Sequence, residues 1–172
     1  HGAYELHGEV EGVGNTALVF ARIAKLKNKD RLRSWLFHVL CAVVRHQGDA
    51  TMPSRTYVIG KNETEVYGPL AETVAHQQLD HLIAGYELGV QTPLPFFEKS
   101  SYAFAESLHK PKNGGEQAAR LAARRAWLPK AGDMYPDSDA EDASIELCMR
   151  GREPLDSAEF SDWATRLWTV VL

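Results

Sequence analysis

Apolar and polar positions alternate over residues 4–13. Tyr4, Leu6, Gly8 and Val10 fall on one side, and Glu5, His7, Glu9 and Glu11 on the other. A period of two predicts a strand with one wet face. Gly14-Asn15 supplies a turn, and residues 16–24 read as a second, more apolar strand, so a β-hairpin is expected to open the chain. The period then changes. Leu32, Trp35, Leu36, Val39, Leu40, Val43 and Val44 recur at helical spacing. They predict a long helix capped by Asn28 or Asp30 and ended by Gly48, with Arg31 and Arg33 projecting off the buried stripe.

Residues 56–59 and 63–67 flank Gly60-Lys61-Asn62 and predict a second hairpin. Pro69 opens a helix to about Leu88, with Leu70, Val74, Leu82, Ile83 and Tyr86 as candidate core residues. Prolines stiffen an extended connection over 92–99, and Ser100 or Ser101 caps a helix to His109. A flexible link over 110–115 leads to an Ala/Arg-rich helix over 116–128, stopped by Pro129. Residues 132–142 form an acidic, mobile loop, and 143–149 read as a buried strand. Asp156 and Glu159 suit the start of a last helix whose stripe is Phe160, Trp163, Leu167 and Val171. With no repeat and no long linker, the expectation is one α/β domain over 1–172, a small mixed sheet flanked by helices.

Composition changes this picture little. The 172 residues are 44% hydrophobic and 24% charged with a net charge of −4, so nothing global calls for nucleic acid or an anionic membrane. The local charge is uneven. Six bases and one acid lie in 22–33, six bases and Glu116 in 110–130, and six acids without a base in 133–146. Cys41 and Cys148 lie far apart in apolar runs without zinc spacing, which predicts two buried free thiols in a reducing cytoplasm. No apolar run is long enough to span a bilayer and no signal peptide is visible. The missing initiator Met and the early onset of pattern lead to the expectation of a piece cut from something longer, located in the cytoplasm.

Metal-dependent nuclease chemistry is the first function to weigh. It needs carboxylates on adjacent strands to hold a divalent ion and a Lys to stabilise developing charge. The first strand offers Glu11, with His7 and Glu9 on the same face. The second reads Ala21-Arg22-Ile23 where an acid-x-Lys is needed. No metal and no other cofactor is therefore expected. His76 and His81 are five apart, on different helix faces, and read as surface residues; Ser100 and Ser101 lack nucleophile-elbow glycines.

Gly8-Glu9-Val10-Glu11 followed by Val19-Phe20-Ala21-Arg22-Ile23 resembles the core of PD-(D/E)xK nucleases. In that likeness Glu11 falls at the first acid, Ala21 at the second and Ile23 at the Lys. The helix carries Arg31, Arg33 and Trp35 in place of a Gln and a Tyr. Pro93-Leu94-Pro95-Phe96-Phe97, Ser100-Ser101 and Arg150-Gly151-Arg152-Glu153-Pro154-Leu155 resemble the C-terminal region of the RecC family, the gamma subunits of exodeoxyribonuclease V (RecBCD). The resemblance runs over nearly the whole chain. It implies a restriction-endonuclease-like fold without the catalytic motif. The implied role is non-catalytic: a structural and protein–protein interaction domain of a helicase–nuclease for double-strand break repair and recombination. It implies RecB-like and RecD-like partner subunits and a duplex DNA end met through the full complex, with no membrane.

Alternatives stay open. One is an active divalent-metal nuclease with a rearranged site using Glu11 and His7. Another is a DNA-binding module in which Arg22, Lys25, Lys27, Lys29, Arg31 and Arg33 meet phosphates, against an ordinary solvated helix start as the plainer reading of the same run. Phe96 and Phe97, with Arg120 and Arg124 on one helix face, are candidate partner contacts, against rings tucked into their own core and a solvated face.

Overall fold

The computed structural model describes residues 4–110, 114–128 and 138–172. The chain divides into two compact units, His1–Leu79 and Asp80–Leu172. Among the described residues it is α/β, with a three-stranded mixed sheet and six α-helices.

The first unit is built on a strand-helix-strand crossover. Strand β1 (Leu18–Ala21) leads through helix α1 (Asn28–His46) to β2 (Thr56–Ile59), which pairs with β1 in parallel. A turn at Gly60 brings β3 (Thr64–Tyr67) back antiparallel to β2, giving the order β1-β2-β3. This second hairpin is the one the sequence predicts. Its turn needs glycine, because a Cβ on Gly60 would sit 2.7 Å from Cγ of Leu26.

The opening hairpin does not form. Residues 4–10 hold no regular element, and the segment touches β1 only through a Val13–Leu18 bridge and a hydrogen bond from the Val19 amide to the Gly12 carbonyl (3.0 Å). The alternating stripe finds no apolar surface to bury: Tyr4 and Leu6 are 41% and 51% exposed. Gly12, at φ +78°, lies so close to the β1 backbone that a Cβ could not fit beside the Val19 carbonyl. Among the described residues, the edge of β1 opposite β2 is therefore met by the one Val13–Leu18 bridge rather than by a paired strand.

Helix α1 covers one face of the sheet. The cross-strand rows Leu18, Thr56, Tyr67 and Phe20, Val58, Glu65 point toward it. Trp35 meets Tyr67 edge-on at 5.3 Å, and Phe37 stacks on Phe20 at 5.7 Å. The buried set on α1 is Ser34, Trp35, His38, Val39, Cys41, Ala42 and Val43; Val44 at 38% exposure lies off it. The helix begins earlier than expected. Lys27 is the cap residue, and Asp30 in the first turn accepts a hydrogen bond from its amide at 2.9 Å. Gly48 follows the end at φ +111°, as read from the sequence.

His38 fixes α1 to the sheet. Its Nε2 lies 2.9 Å from the Gly68 carbonyl, which can only accept, so Nε2 carries the proton. Nδ1 then accepts from the Thr56 hydroxyl at 2.9 Å. Burial disfavours the charged ring and, opposed by the hydrogen bond to the Gly68 carbonyl, holds the pKa below the usual histidine value.

The unit boundary falls within helix α2 (Glu72–Gly89). Its buried positions are Ala75, Gln78 and Leu79; Val74 and Tyr86, expected in a core, are 38% and 68% exposed. The second unit is helical. It holds α3 (Glu98–His109), α4 (Gly115–Trp127), α5 (Ala143–Met149), α6 (Ala158–Trp168) and two 3-10 turns, Asp139–Glu141 and Pro154–Asp156. Its core gathers Phe97, Phe104, Met149, Leu155 and Phe160 around Ala119, Ala123 and Ala164. The alanines are fully buried, which lets α4 and α6 lie close against α3.

Several expectations fail here for local reasons. Residues 143–149 form a helix, because Asp142 caps them by accepting from the Ser144 and Ile145 amides at 2.9 and 3.2 Å. Ile145 and Met149, one turn apart, then face the core, while Leu147 is 64% exposed. Cys148 is exposed rather than buried as expected, and Cys41 is buried. The acidic stretch is ordered where it is described. Asp139, 4% exposed, accepts from the Ser100 amide (2.7 Å), the Ser100 hydroxyl (2.6 Å) and the Lys99 amide (3.2 Å). A carboxylate 39 residues away thus caps α3, and losing it would leave buried donors unpaired at a cost of about 1–3 kcal/mol. Helix α3 starts before the serines expected to cap it: Phe97 is its cap residue, with the Phe97 amide donating to Ser101 Oγ at 2.9 Å. Ser157, not Asp156, caps α6 by accepting from the Phe160 amide at 3.1 Å. Its stripe is Phe160, Trp163, Ala164 and Trp168, with Leu167 and Val171 partly buried. Residues 132–137 of the acidic loop, 111–113 of the link and the stop at Pro129 lie outside the described residues.

The His38 geometry sets a pH dependence. The unfolded chain takes up a proton near pH 6.5 while folded His38 does so only at lower pH, so stability is full above about 6.5 and falls as pH drops below it. Denaturant melts from about pH 7.5 to 5 should show this fall. His38→Gln should flatten it whatever it does to absolute stability; an unchanged slope would count against the buried neutral ring.

Candidate functional site

Strand β1 carries the positions that would hold a nuclease site, and its pleat decides where they point. Leu18 and Phe20 turn toward α1, so Val19 and Ala21 turn away, and Ile23 beyond the strand end is fully exposed. Glu9 and Glu11 lie beside this edge. With Val19, Ala21, Arg33 and Phe37 they line a shallow polar depression. Glu11 and Ala21, paired by the sequence pattern, are therefore brought together, while Ile23 stands outside that lining. The methyl group of Ala21 offers no ligand and Ile23 no cation, so the depression has Glu9 and Glu11 as its carboxylates. Among the described residues no group of three His, Cys, Asp or Glu is arranged to hold a metal ion.

The basic run after β1 separates into two kinds of residue. Arg22 is held by Asp30 through Nη1 at 2.9 and 3.2 Å. Arg31, its side chain 13% exposed, donates from Nε to Glu65 at 2.7 Å and from Nη2 to Glu63 at 3.2 Å. It lies between α1 and β3 rather than projecting into solvent, because an Arg in the first turn of a helix opposes the dipole and is drawn to carboxylates across the gap. The sequence held the signal: Glu63 and Glu65 are two apart at β3, and so fall on one face. Lys25, Lys27 and Arg33 are exposed, with the Arg33 guanidinium 5.8 Å from the Phe37 ring centroid.

In the second unit, Phe97 is a core side chain, 3% exposed, packed edge-on against Trp127 at 4.8 Å. Its neighbour Phe96 is half-buried. Arg120 donates to Glu116 at 2.7 Å and to the Leu155 carbonyl at 2.7 Å, tying α4 to the turn before α6. Arg124 donates to Asp156 at 2.6 Å. Two guanidinium groups read as partner contacts thus engage the unit's own acceptors, which lie 32 and 35 residues along the chain. His81, read as a surface residue, has a buried Nδ1 without a hydrogen-bond partner; burial, followed by the charge of Arg166, lowers its pKa against the pull of Asp80.

The profile of the RecC C-terminal domain family matches residues 1–109. The chain belongs to this family. The RecBCD enzyme subunit RecC of Buchnera aphidicola subsp. Schizaphis graminum (strain Sg) is 25% identical over 149 residues, covering 83% of this chain. Its counterpart in Buchnera aphidicola subsp. Acyrthosiphon pisum (strain APS) is 24% identical over 144 residues, covering 81%. The chain spans 13% of the length of each of these relatives. The match reaches beyond the β-sheet into α2 and α3, so Ala21, Ile23 and the Pro93–Phe97 segment all fall within the RecC-type stretch.

The Arg31 link is testable by a double-mutant cycle. Arg31→Ala and Glu65→Ala should each destabilise the first unit, and together by less than their sum, with a coupling of roughly 1–2 kcal/mol in denaturant melts. Strict additivity would mean that the pair does not hold α1 to β3.

Proposed function

We propose that this chain is a non-catalytic structural and protein–protein interaction domain of a RecC-like subunit, in a RecBCD-type helicase–nuclease that repairs double-strand breaks. Its first unit is a restriction-endonuclease-like core that has lost the catalytic motif, and together the two units act as one domain. The partners are RecB-like and RecD-like subunits, which carry the enzyme activities, and the complex works in the cytoplasm. The observation that carries this reading is the pair Ala21 and Ile23. An acid and a Lys at these two positions would give β1 a metal ligand and a cation, and the chain has a methyl and a branched alkyl group there. Family membership supports the subunit role, and no described helix is long and apolar enough to cross a membrane.

Incubation with linear duplex and single-stranded DNA in Mg²⁺ and then Mn²⁺ is expected to leave both substrates intact. Cleavage that Glu11→Ala abolishes would overturn the proposal in favour of a rebuilt metal site.

A second reading, weak DNA binding, is favoured by the exposure of Lys25, Lys27 and Arg33 within one stretch of nine residues. Of the candidate partner residues, Phe96 is half-buried and Arg124 exposed, while Phe97 lies in the core and Arg120 is engaged by Glu116 and the Leu155 carbonyl. If DNA is bound, affinity should fall steeply with salt and drop on Arg33→Glu with Lys27→Glu. Arg31→Glu is the wrong probe, since it breaks the link to Glu65. Salt-independent affinity, or none, would remove this reading.

A further inference from the structure

Residues 138–149 lie along the second unit as one hydrogen-bonded piece. Ser138 Oγ donates to Glu141 at 2.9 Å, the Asp142 amide to the Asp139 carbonyl at 3.3 Å, and the Glu146 amide to the Asp142 carbonyl at 2.9 Å. The 3-10 turn Asp139–Glu141 therefore runs straight into α5, with Asp142 ending the one and capping the other. The two carboxylates act in different directions. Asp142 accepts from the Ser144 and Ile145 amides of its own segment. Asp139 accepts from the Ser100 amide, the Ser100 hydroxyl and the Lys99 amide, and so ties the segment to α3.

The rest of the segment is held lightly. Helix α5 has seven residues, well short of the roughly 12–15 at which an isolated helix becomes even marginal in water. It turns Ile145 and Met149 to the core and leaves Ser144, Glu146, Leu147 and Cys148 exposed. Lifted from the core, so short a helix melts. The Asp139 contact is of another kind. Asp139 is 4% exposed, Ser100 is fully buried, and Oδ2 of Asp139 serves both Ser100 donors, at 2.7 and 2.6 Å. One oxygen moving away strands two buried donors together, so the contact is made or lost whole. We propose that residues 138–149 are a latched strap, which opens as a single element when Asp139 leaves α3 while α3, α4 and α6 stay folded. Opening withdraws Ile145 and Met149 from the core and frees the Lys99 and Ser100 amides in the same motion. The inference rests on distances within the second unit, so it stands apart from the nuclease and DNA-binding readings.

Hydrogen exchange of the chain, followed amide by amide by NMR, tests it. Amides of α5 and the Ser100 amide should exchange faster than those of α4 and α6, and at one common opening equilibrium. Asp142→Ala is the deciding variant, because Asp142 caps α5 and does not touch α3. It should speed exchange of the Ser100 amide about fivefold, in step with α5, and leave α4 and α6 unchanged. Ile145→Ala should act in the same direction, and Asp139→Ala should speed exchange over 143–149. A Ser100 amide that ignores Asp142→Ala would overturn the strap and leave two independent caps. Exchange of α5 as slow as that of α4 in the unaltered chain would overturn it too, as would a rise in the variants that extends through α4 and α6, since the whole unit would then be opening.

Discussion

The first unit depends on holding one helix against three strands of four residues each. A sheet so short has too little apolar area to stand alone. What fixes α1 in place is a row of polar contacts along its inner side. Arg31 reaches Glu63 and Glu65, and Ser34 Oγ reaches Tyr67 Oη at 3.4 Å. His38 joins Thr56 on β2 to Gly68 just past β3. These groups sit among Trp35, Val39, Val58 and Tyr67, where an unmade hydrogen bond costs more than a made one contributes. The register between helix and sheet is therefore specified by polar matching and filled in by apolar packing. Burial pushes the Tyr67 hydroxyl up to about 12, keeping it a neutral donor and acceptor throughout the range in which His38 changes charge.

How far the sequence could be read follows from where the relevant partners lie. Helix α1, the β2–β3 hairpin and helix α4 were legible, because periodicity and turn residues within each segment suffice to define them. The opening hairpin was not. Residues 4–13 alternate well, but their apolar stripe finds nothing to cover it, and the one strand partner β1 takes, β2, comes more than thirty residues on through the α1 crossover. Residues 143–149 misled in the opposite sense. Their apolar run suits a buried strand, and a single carboxylate at Asp142 turns it into a helix that buries Ile145 and Met149 and exposes Leu147. Short apolar runs carry no period long enough to arbitrate, so the cap decides.

Charge was the least legible property, for the same reason. Four of the arginines weighed as nucleic-acid or partner contacts are engaged inside their own unit. Arg22 meets Asp30, Arg31 meets Glu63 and Glu65, Arg120 meets Glu116 and the Leu155 carbonyl, and Arg124 meets Asp156. A basic run in sequence is a basic patch in space only when no acid arrives from elsewhere, and here acids arrive from up to 34 residues away. The acidic stretch behaves likewise: Asp139 leaves the solvated loop expected of it to cap α3.

The candidate site joins these strands of reasoning. A catalytic acid and Lys two residues apart on β1 would need an open, wet strand face, with water and metal able to reach it. Ala21 and Ile23 at those positions, with Val19, Ile59 and Val66 around them, make that face a surface that water solvates poorly. The carboxylates of Glu9 and Glu11 stand at the edge of β1 with no further acidic ligand in the depression they line, and among the described residues no group of three His, Cys, Asp or Glu is arranged to hold a metal ion. What the strand offers them is a methyl group at Ala21, which neither holds a metal nor balances a charge.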